Sequence, residues 1–171
     1  MPGHTTLFVG LGSSHGDDRV GWMVADALEV RLSPHALVRR AAAPLDVLDW
    51  LDGIECLAIC DACEGIGPAG SWRRWPSPLT GVPAARVRNS HDLGFLAAMQ
   101  LAAQLKTLPR EILLWVVEIR QVHPHKSASR EVVAAVPAVA DDVVRALAAG
   151  DSSGRSLLDS PLSPPRERGR G

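Results

Sequence analysis

Apolar runs and helically spaced stripes alternate along this chain. Thr6 to Gly10 is a short apolar run that ends in Gly10-Leu11-Gly12, which predicts a first strand leaving into a tight turn. A helix is expected from near Asp17, where Val20, Val24, Leu28 and Leu32 recur at helical spacing, and Ser33-Pro34 stops it. Ala36 to Ala41 reads as a second strand, and Pro44 with Leu45, Leu48 and Leu51 as a short helix. Ile54 to Cys60 is nearly all apolar, as a strand buried on both faces must be. Ser71 to Trp75 is expected to add an edge strand closed by Pro76 and Pro78. From Asp92 the pattern turns helical, with Leu93, Ala97, Leu101 and Leu105 on one stripe, and Glu111 to Ile119 reads as another buried strand. Ser129 to Ala149 is helical, with Pro137 expected to open a second helix at its first position.

Strands alternating with helices predict an α/β domain: a twisted, mostly parallel sheet with helices on both faces. The length of 171 residues suits one domain, and 46% hydrophobic against 22% charged residues is ordinary for a globular protein. The domain is expected over residues 1–149. Residues 150–171, rich in Pro, Ser, Gly and Arg, cannot support a packed core and are expected to form a disordered tail. A formal net charge of −1 gives no electrostatic case for a nucleic-acid partner. The apolar runs fall short of the ~20 residues that span a membrane, and Met1-Pro2-Gly3-His4 does not open a signal peptide. A cytoplasmic location and no membrane partner are therefore expected.

Cys56, Cys60 and Cys63 crowd around one predicted strand. Their odd number is not a disulfide framework, and Cys60-x-x-Cys63 has no second pair to complete a structural zinc site. They read as small buried hydrophobes, two of them on one face of the strand.

The candidate chemistry lies in three separated fragments, Gly16-Asp17-Asp18, Ile59-Cys60-Asp61-Ala62 and Ser90-His91-Asp92-Leu93-Gly94-Phe95. Each places a metal-ligating side chain at a strand end or a helix start, and in parallel sheets such positions converge on one edge. Two carboxylates and an imidazole meeting there would make an open site for a divalent cation, with affinity for Ni²⁺ or Zn²⁺ over Mg²⁺. Taken singly, each has an ordinary structural explanation. Asp17 and Asp18 suit a helix N-terminus, Asp61 a turn, and His91 a helix start. His15, His123 and His125 are further imidazoles, but Pro124 places the last two in a loop. A dinucleotide site is disfavoured, because the third glycine of the fingerprint falls on His15 and two carboxylates would repel a pyrophosphate. Nucleophilic catalysis is not expected, since Cys60 or Cys63 would need a neighbouring base to act. Trp72-Arg73-Arg74-Trp75 fits an exposed edge strand.

The run Gly10-Leu11-Gly12-Ser13-Ser14-His15-Gly16-Asp17-Asp18-Arg19-Val20-Gly21 resembles the opening motif of the hydrogenase maturation proteases. The similarity continues through Cys60-Asp61-Ala62, Gly65 to Ser71, Ser90-His91-Asp92-Leu93-Gly94 and Ser129-Arg130-Glu131-Val132, about residues 5–149 in all. It implies a phosphorylase/hydrolase-like sheet of about five strands. It further implies an aspartic-type endopeptidase that trims the C-terminal extension of a nickel–iron hydrogenase large-subunit precursor. Asp18, Asp61 and His91 correspond to the metal-contacting, catalytic positions. The nickel is expected to be substrate-borne, with other divalent metals able to substitute, and the protein to be a monomer. Two departures stand out. Ser13 replaces the usual Asn in a turn one residue shorter, and Arg19 replaces the glycine that commonly follows the acidic pair. These leave a second expectation open, a non-catalytic assembly factor that binds the metal-loaded precursor.

Overall fold

A computed structural model of the chain describes residues 5–76, 94–124 and 126–151. Strands β1 (Thr6–Leu11), β2 (Leu37–Ala41), β3 (Cys56–Cys63), β4 (Trp72–Pro76) and β5 (Glu111–Glu118) alternate with helices α1 (Val20–Leu32), α2 (Phe95–Gln104) and α3 (Arg130–Asp151). Two 3₁₀ segments, Gly16–Arg19 and Pro44–Trp50, complete the described elements. The strands form one five-stranded sheet in the order β2-β1-β3-β5-β4. All pairs are parallel except β4, which closes one edge antiparallel to β5.

The period of two in a strand divides the central side chains between the faces. Phe8, Ala58, Cys60, Ala62, Leu113, Trp115 and Val117 face one core with the buried residues of α1 and α3. Leu7, Val9, Leu11, Leu57, Ile59, Cys63, Leu114 and Val116 face the other, with Val47, Phe95, Ala98 and Ala102. Both faces are covered, so β1, β3 and β5 are almost wholly buried, which is why they read as unbroken apolar runs.

The glycines of the first turn serve backbone packing. A Cβ on Gly10 would run into the Gly21 carbonyl, and one on Gly21 would strike Leu11 and stand 2.6 Å from the Cys60 carbonyl oxygen. Their absence lets the first turn of α1 lie directly on the ends of β1 and β3. Gly16, at φ +54°, makes the sharp turn into the 3₁₀ segment.

Several expectations are corrected. The expected helix from Asp17 begins as the 3₁₀ segment Gly16–Arg19, and α1 proper starts at Val20. In Pro44–Trp50 the buried positions are Pro44 and Val47 rather than Leu45 and Leu48, because a 3₁₀ helix repeats every three residues. In α2 the buried stripe is Phe95, Ala98, Met99 and Ala102, while Leu101 and Leu105 are exposed. The first residues of that expected stripe, Asp92 and Leu93, lie outside the described residues. Pro137 does not open a second helix; α3 runs through it. Pro137 is exposed, and the apolar stripe Val132, Val136, Val139, Ala140 and Val143 continues past it, so packing on the sheet outweighs the lost N–H. α3 extends to Asp151, and the expected tail beyond it lies outside the described residues. Among the described residues no helix is long and apolar enough to cross a membrane.

Candidate functional site

The order β2-β1-β3-β5-β4 reverses direction at β1. The chain moves outward to β2 and then returns past β1 to β3, which leaves a crevice at the C-terminal ends of β1 and β3, where open α/β sheets place their ligands. Asp18 and Asp61 sit on the two sides of this crevice. Asp18 belongs to the 3₁₀ turn that follows β1, and that turn packs against β3. Pairing of β1 with β3 ends at Gly10 opposite Cys60, so Asp61 is the first residue of β3 beyond its paired neighbour. β3 runs on to Cys63 rather than ending at Cys60, because β5 continues to pair with it as far as Cys63 opposite Glu118.

Asp61 is fully buried, and its Oδ1 accepts a hydrogen bond from the Ala62 N–H at 2.8 Å. Strand alternation puts it on the face of Ile59 and Cys63, which is the α2 side. α2 is joined to β5 by residues 105–110, and its buried residues Phe95, Ala98, Met99 and Ala102 pack on the same face of the sheet as Ile59 and Cys63. His91, four positions before Phe95, lies outside the described residues.

Asp17 and Asp18 have opposite fates. Asp17 is fully buried and caps nothing in its own helix. Its Oδ2 accepts from the N–H groups of Arg120 at 2.9 Å and Gln121 at 3.2 Å, and its Oδ1 from the N–H of Ser129 at 2.5 Å. Burial alone would raise its pKa. The hydrogen bonds from Ser129, Arg120 and Gln121 outweigh that and hold the carboxyl below its ordinary value. The Ser129 hydroxyl is buried beside this carboxylate; it adds to the stabilisation of the charge, although it meets no partner in good hydrogen-bond geometry. Backbone bonds from Gly16 N–H to Lys126 O and from Asp17 N–H to Gln121 O strengthen the same seam. Asp17 is thus a strut between the first turn and the β5–α3 loop. The Asp18 carboxylate, half-buried at the crevice, has no side-chain hydrogen bond or ion pair among the described residues.

Sequence reasoning missed Glu118. It ends β5 as Asp61 nearly ends β3, and an acid closing a buried apolar run was the available signal. Glu118 is buried, and it accepts from Gly65 N–H at 2.9 Å and Ile66 N–H at 2.7 Å. It therefore shapes the β3–β4 loop as Asp17 shapes the β5–α3 loop. Of the four carboxylates at these strand ends, two hold loops, leaving Asp18 and Asp61 at the crevice.

The other candidates recede. The three cysteines are free; Cys56 and Cys60 share one face, and Cys63 faces the other. Burial, then the nearby Glu118 and Asp61, pushes the Cys63 thiol up to about 12, and burial raises Cys60 further, so neither supplies a thiolate nucleophile. The half-buried Ser13 hydroxyl accepts from the His15 N–H at 3.3 Å in an exposed local turn. His15 and His123 are exposed, and His123 lies in a loop. Trp72 and Trp75 point into opposite cores from the edge strand, while Arg73 and Arg74 stay exposed. Among the described residues no group of three His, Cys, Asp or Glu side chains could hold a metal ion. Asp18, half-buried, and Asp61, fully buried, are the two carboxylates that the strand ends bring to the crevice.

No family model and no curated protein matches the chain. Solved structures do. The hydrogenase maturating endopeptidase HybD from E. coli superposes with a TM-score of 0.70 at 19% identity, over 85% of this chain and 93% of that one. A NiFe hydrogenase maturation protease HycI from Thermococcus kodakarensis gives 0.68 at 17% identity, over 85% and 93%. The hydrogenase 2 maturation peptidase from a Thaumarchaeota archaeon gives 0.61 at 27% identity, over 83% and 97%. The resemblance carried by the motifs is met by the fold.

Proposed function

We propose that this chain, whose fold is that of the hydrogenase maturation proteases, is an endopeptidase. It would remove the C-terminal extension of a nickel–iron hydrogenase large-subunit precursor in the cytoplasm, once nickel is in place. The observation that carries this reading is the division of labour among the crevice carboxylates: Asp17 is spent on backbone N–H groups, while Asp18 stands without a described side-chain partner across from Asp61. Two carboxylates neutralise a divalent cation, and the imidazole of His91 adds a nitrogen donor.

In this reading nickel is part of the substrate. Asp18, Asp61 and His91 contact it and so hold the adjoining peptide bond at the crevice, and a metal ion there polarises water or a carbonyl. Carboxylate assistance from Asp17 is disfavoured, because both of its oxygens are already committed. The burial of Asp61 strengthens its attraction for a cation relative to an exposed carboxylate.

The test is incubation of nickel-loaded precursor with the purified protein, read as a mobility shift on a gel. Wild type should release the C-terminal peptide, and His91→Ala or Asp18→Asn should not. The absence of cleavage with an authentic partner would sink the protease reading. The altered turn from Ser13 to Gly16 favours the second reading of a non-catalytic assembly factor. On that reading His91→Ala would only weaken precursor binding.

A further inference from the structure

A groove of about 240 Å³ opens beside the crevice, lined by Arg19 and Met23 on one wall and Ser127, Ala128 and Val133 on the other. Its walls come from distant parts of the chain. Arg19 ends the 3₁₀ turn and Met23 lies in α1, whereas Ser127 and Ala128 belong to the β5–α3 loop and Val133 to α3. What fixes the distance between them is the Asp17 strut, through Arg120, Gln121 and Ser129. The groove is therefore preformed, which reduces the ordering cost of binding.

Its chemistry is mixed. Val133 is 45% exposed, unusual for a β-branched residue in a helix otherwise seated on the sheet, and Met23 offers an adaptable apolar surface. Arg19 is exposed, and so are Lys126 and Arg130, which flank the loop wall in sequence. Among the described residues none of these three cations has a side-chain hydrogen bond or ion pair. The acidic groups near them are Asp18 at the crevice and Glu131, which pairs with Arg120. An apolar floor beside the exposed Arg19 suits an apolar side chain next to a carboxylate.

We propose that this groove is a docking subsite for an extended segment of the substrate polypeptide, in which an apolar residue adjoins an acidic one. The apolar side chain sits between Met23 and Val133, and the carboxylate meets Arg19. Because Arg19 directly follows Asp18, a segment held here continues into the crevice. Only the source of the peptide rests on the protease reading; the chemistry of the groove does not.

The test uses the full chain and two blocked synthetic peptides of Gly and Ser. One carries two Leu-Glu pairs and the other two Leu-Lys pairs, and both are titrated while backbone amide shifts are followed. Saturable shifts at Arg19, Met23 and residues 127–133 are expected with the acidic peptide, with roughly fivefold weaker binding of the basic one. Arg19→Glu should reverse that preference, and Val133→Ser should weaken both peptides. Shifts that map elsewhere, or equal binding of the two peptides, would overturn the proposal. In precursor processing, the loss in Arg19→Glu should fall on KM, and that in His91→Ala on kcat. A protein that binds the acidic peptide but cuts no precursor would keep the groove and remove the protease reading.

Discussion

Replacing Asp17 by asparagine is the sharpest test of the strut. The carboxylate offers acceptors to three backbone N–H groups, two on Oδ2 and one on Oδ1. An amide keeps only one acceptor oxygen. It would turn that oxygen toward Arg120 and Gln121, leaving its NH₂ against the Ser129 N–H, two donors face to face in a fully buried position. One buried donor left unsatisfied costs about 1–3 kcal/mol. The two surviving bonds lose their charge assistance, roughly halving them and adding about 1–2 kcal/mol. The expected loss is about 2–5 kcal/mol, a large part of the ~5–15 kcal/mol typical of a folded domain. Urea unfolding should show a lower midpoint with an unchanged slope. The pH dependence carries a second signature. The folded pKa of Asp17 lies below its ordinary value of 3.8, so its contribution is fully present above that value and lost as pH falls through the folded pKa. Wild type and Asp17→Asn should thus differ in stability at pH 7 and converge in strong acid. A variant within about 0.5 kcal/mol of wild type at pH 7, the scatter of innocuous surface changes, would refute the strut.

Other consequences are as direct. Gly21→Ala should destabilise by about 2–3 kcal/mol or prevent folding, since its Cβ would meet backbone atoms of Leu11 and Cys60 that cannot move independently; chemical denaturation checks this. Pro137→Ala should raise stability by about 1–3 kcal/mol in the same assay, because the residue is exposed and α3 already runs through it. Cys60 and Cys63 should resist iodoacetamide at pH 8 in the folded protein and react in urea, as burial keeps both thiols protonated; mass spectrometry reads the result, and rapid native labelling would contradict it.

Much of the fold is legible locally. β1, β3 and β5 announce themselves because a strand covered on both faces must be apolar at every position. β4 is recognisable as an edge from Pro76, which the strand takes in as its last residue, and from Pro78 in the sequence beyond it. α2 is legible as a helix but its buried stripe is not, because Phe95-Leu96-Ala97-Ala98-Met99 is apolar on every side and more than one stripe satisfies the helical period. The sheet chooses the side on which Ala98 and Ala102 allow close approach, and Leu101 and Leu105 are left outside.

The crevice divides in the same way. The sequence by itself determined that acids stand after β1 and at the end of β3, and the parallel alternation of elements made a shared edge the expectation. Asp17 and Asp18 are chemically identical neighbours, and nothing local separates them. Tertiary structure does: the N–H groups that claim Asp17 lie 103 to 112 positions downstream, and they reach it only because α3 folds back beside α1. A buried carboxylate must find donors, and once Asp17 has taken those of the β5–α3 loop, Asp18 is the acid left at the crevice with Asp61.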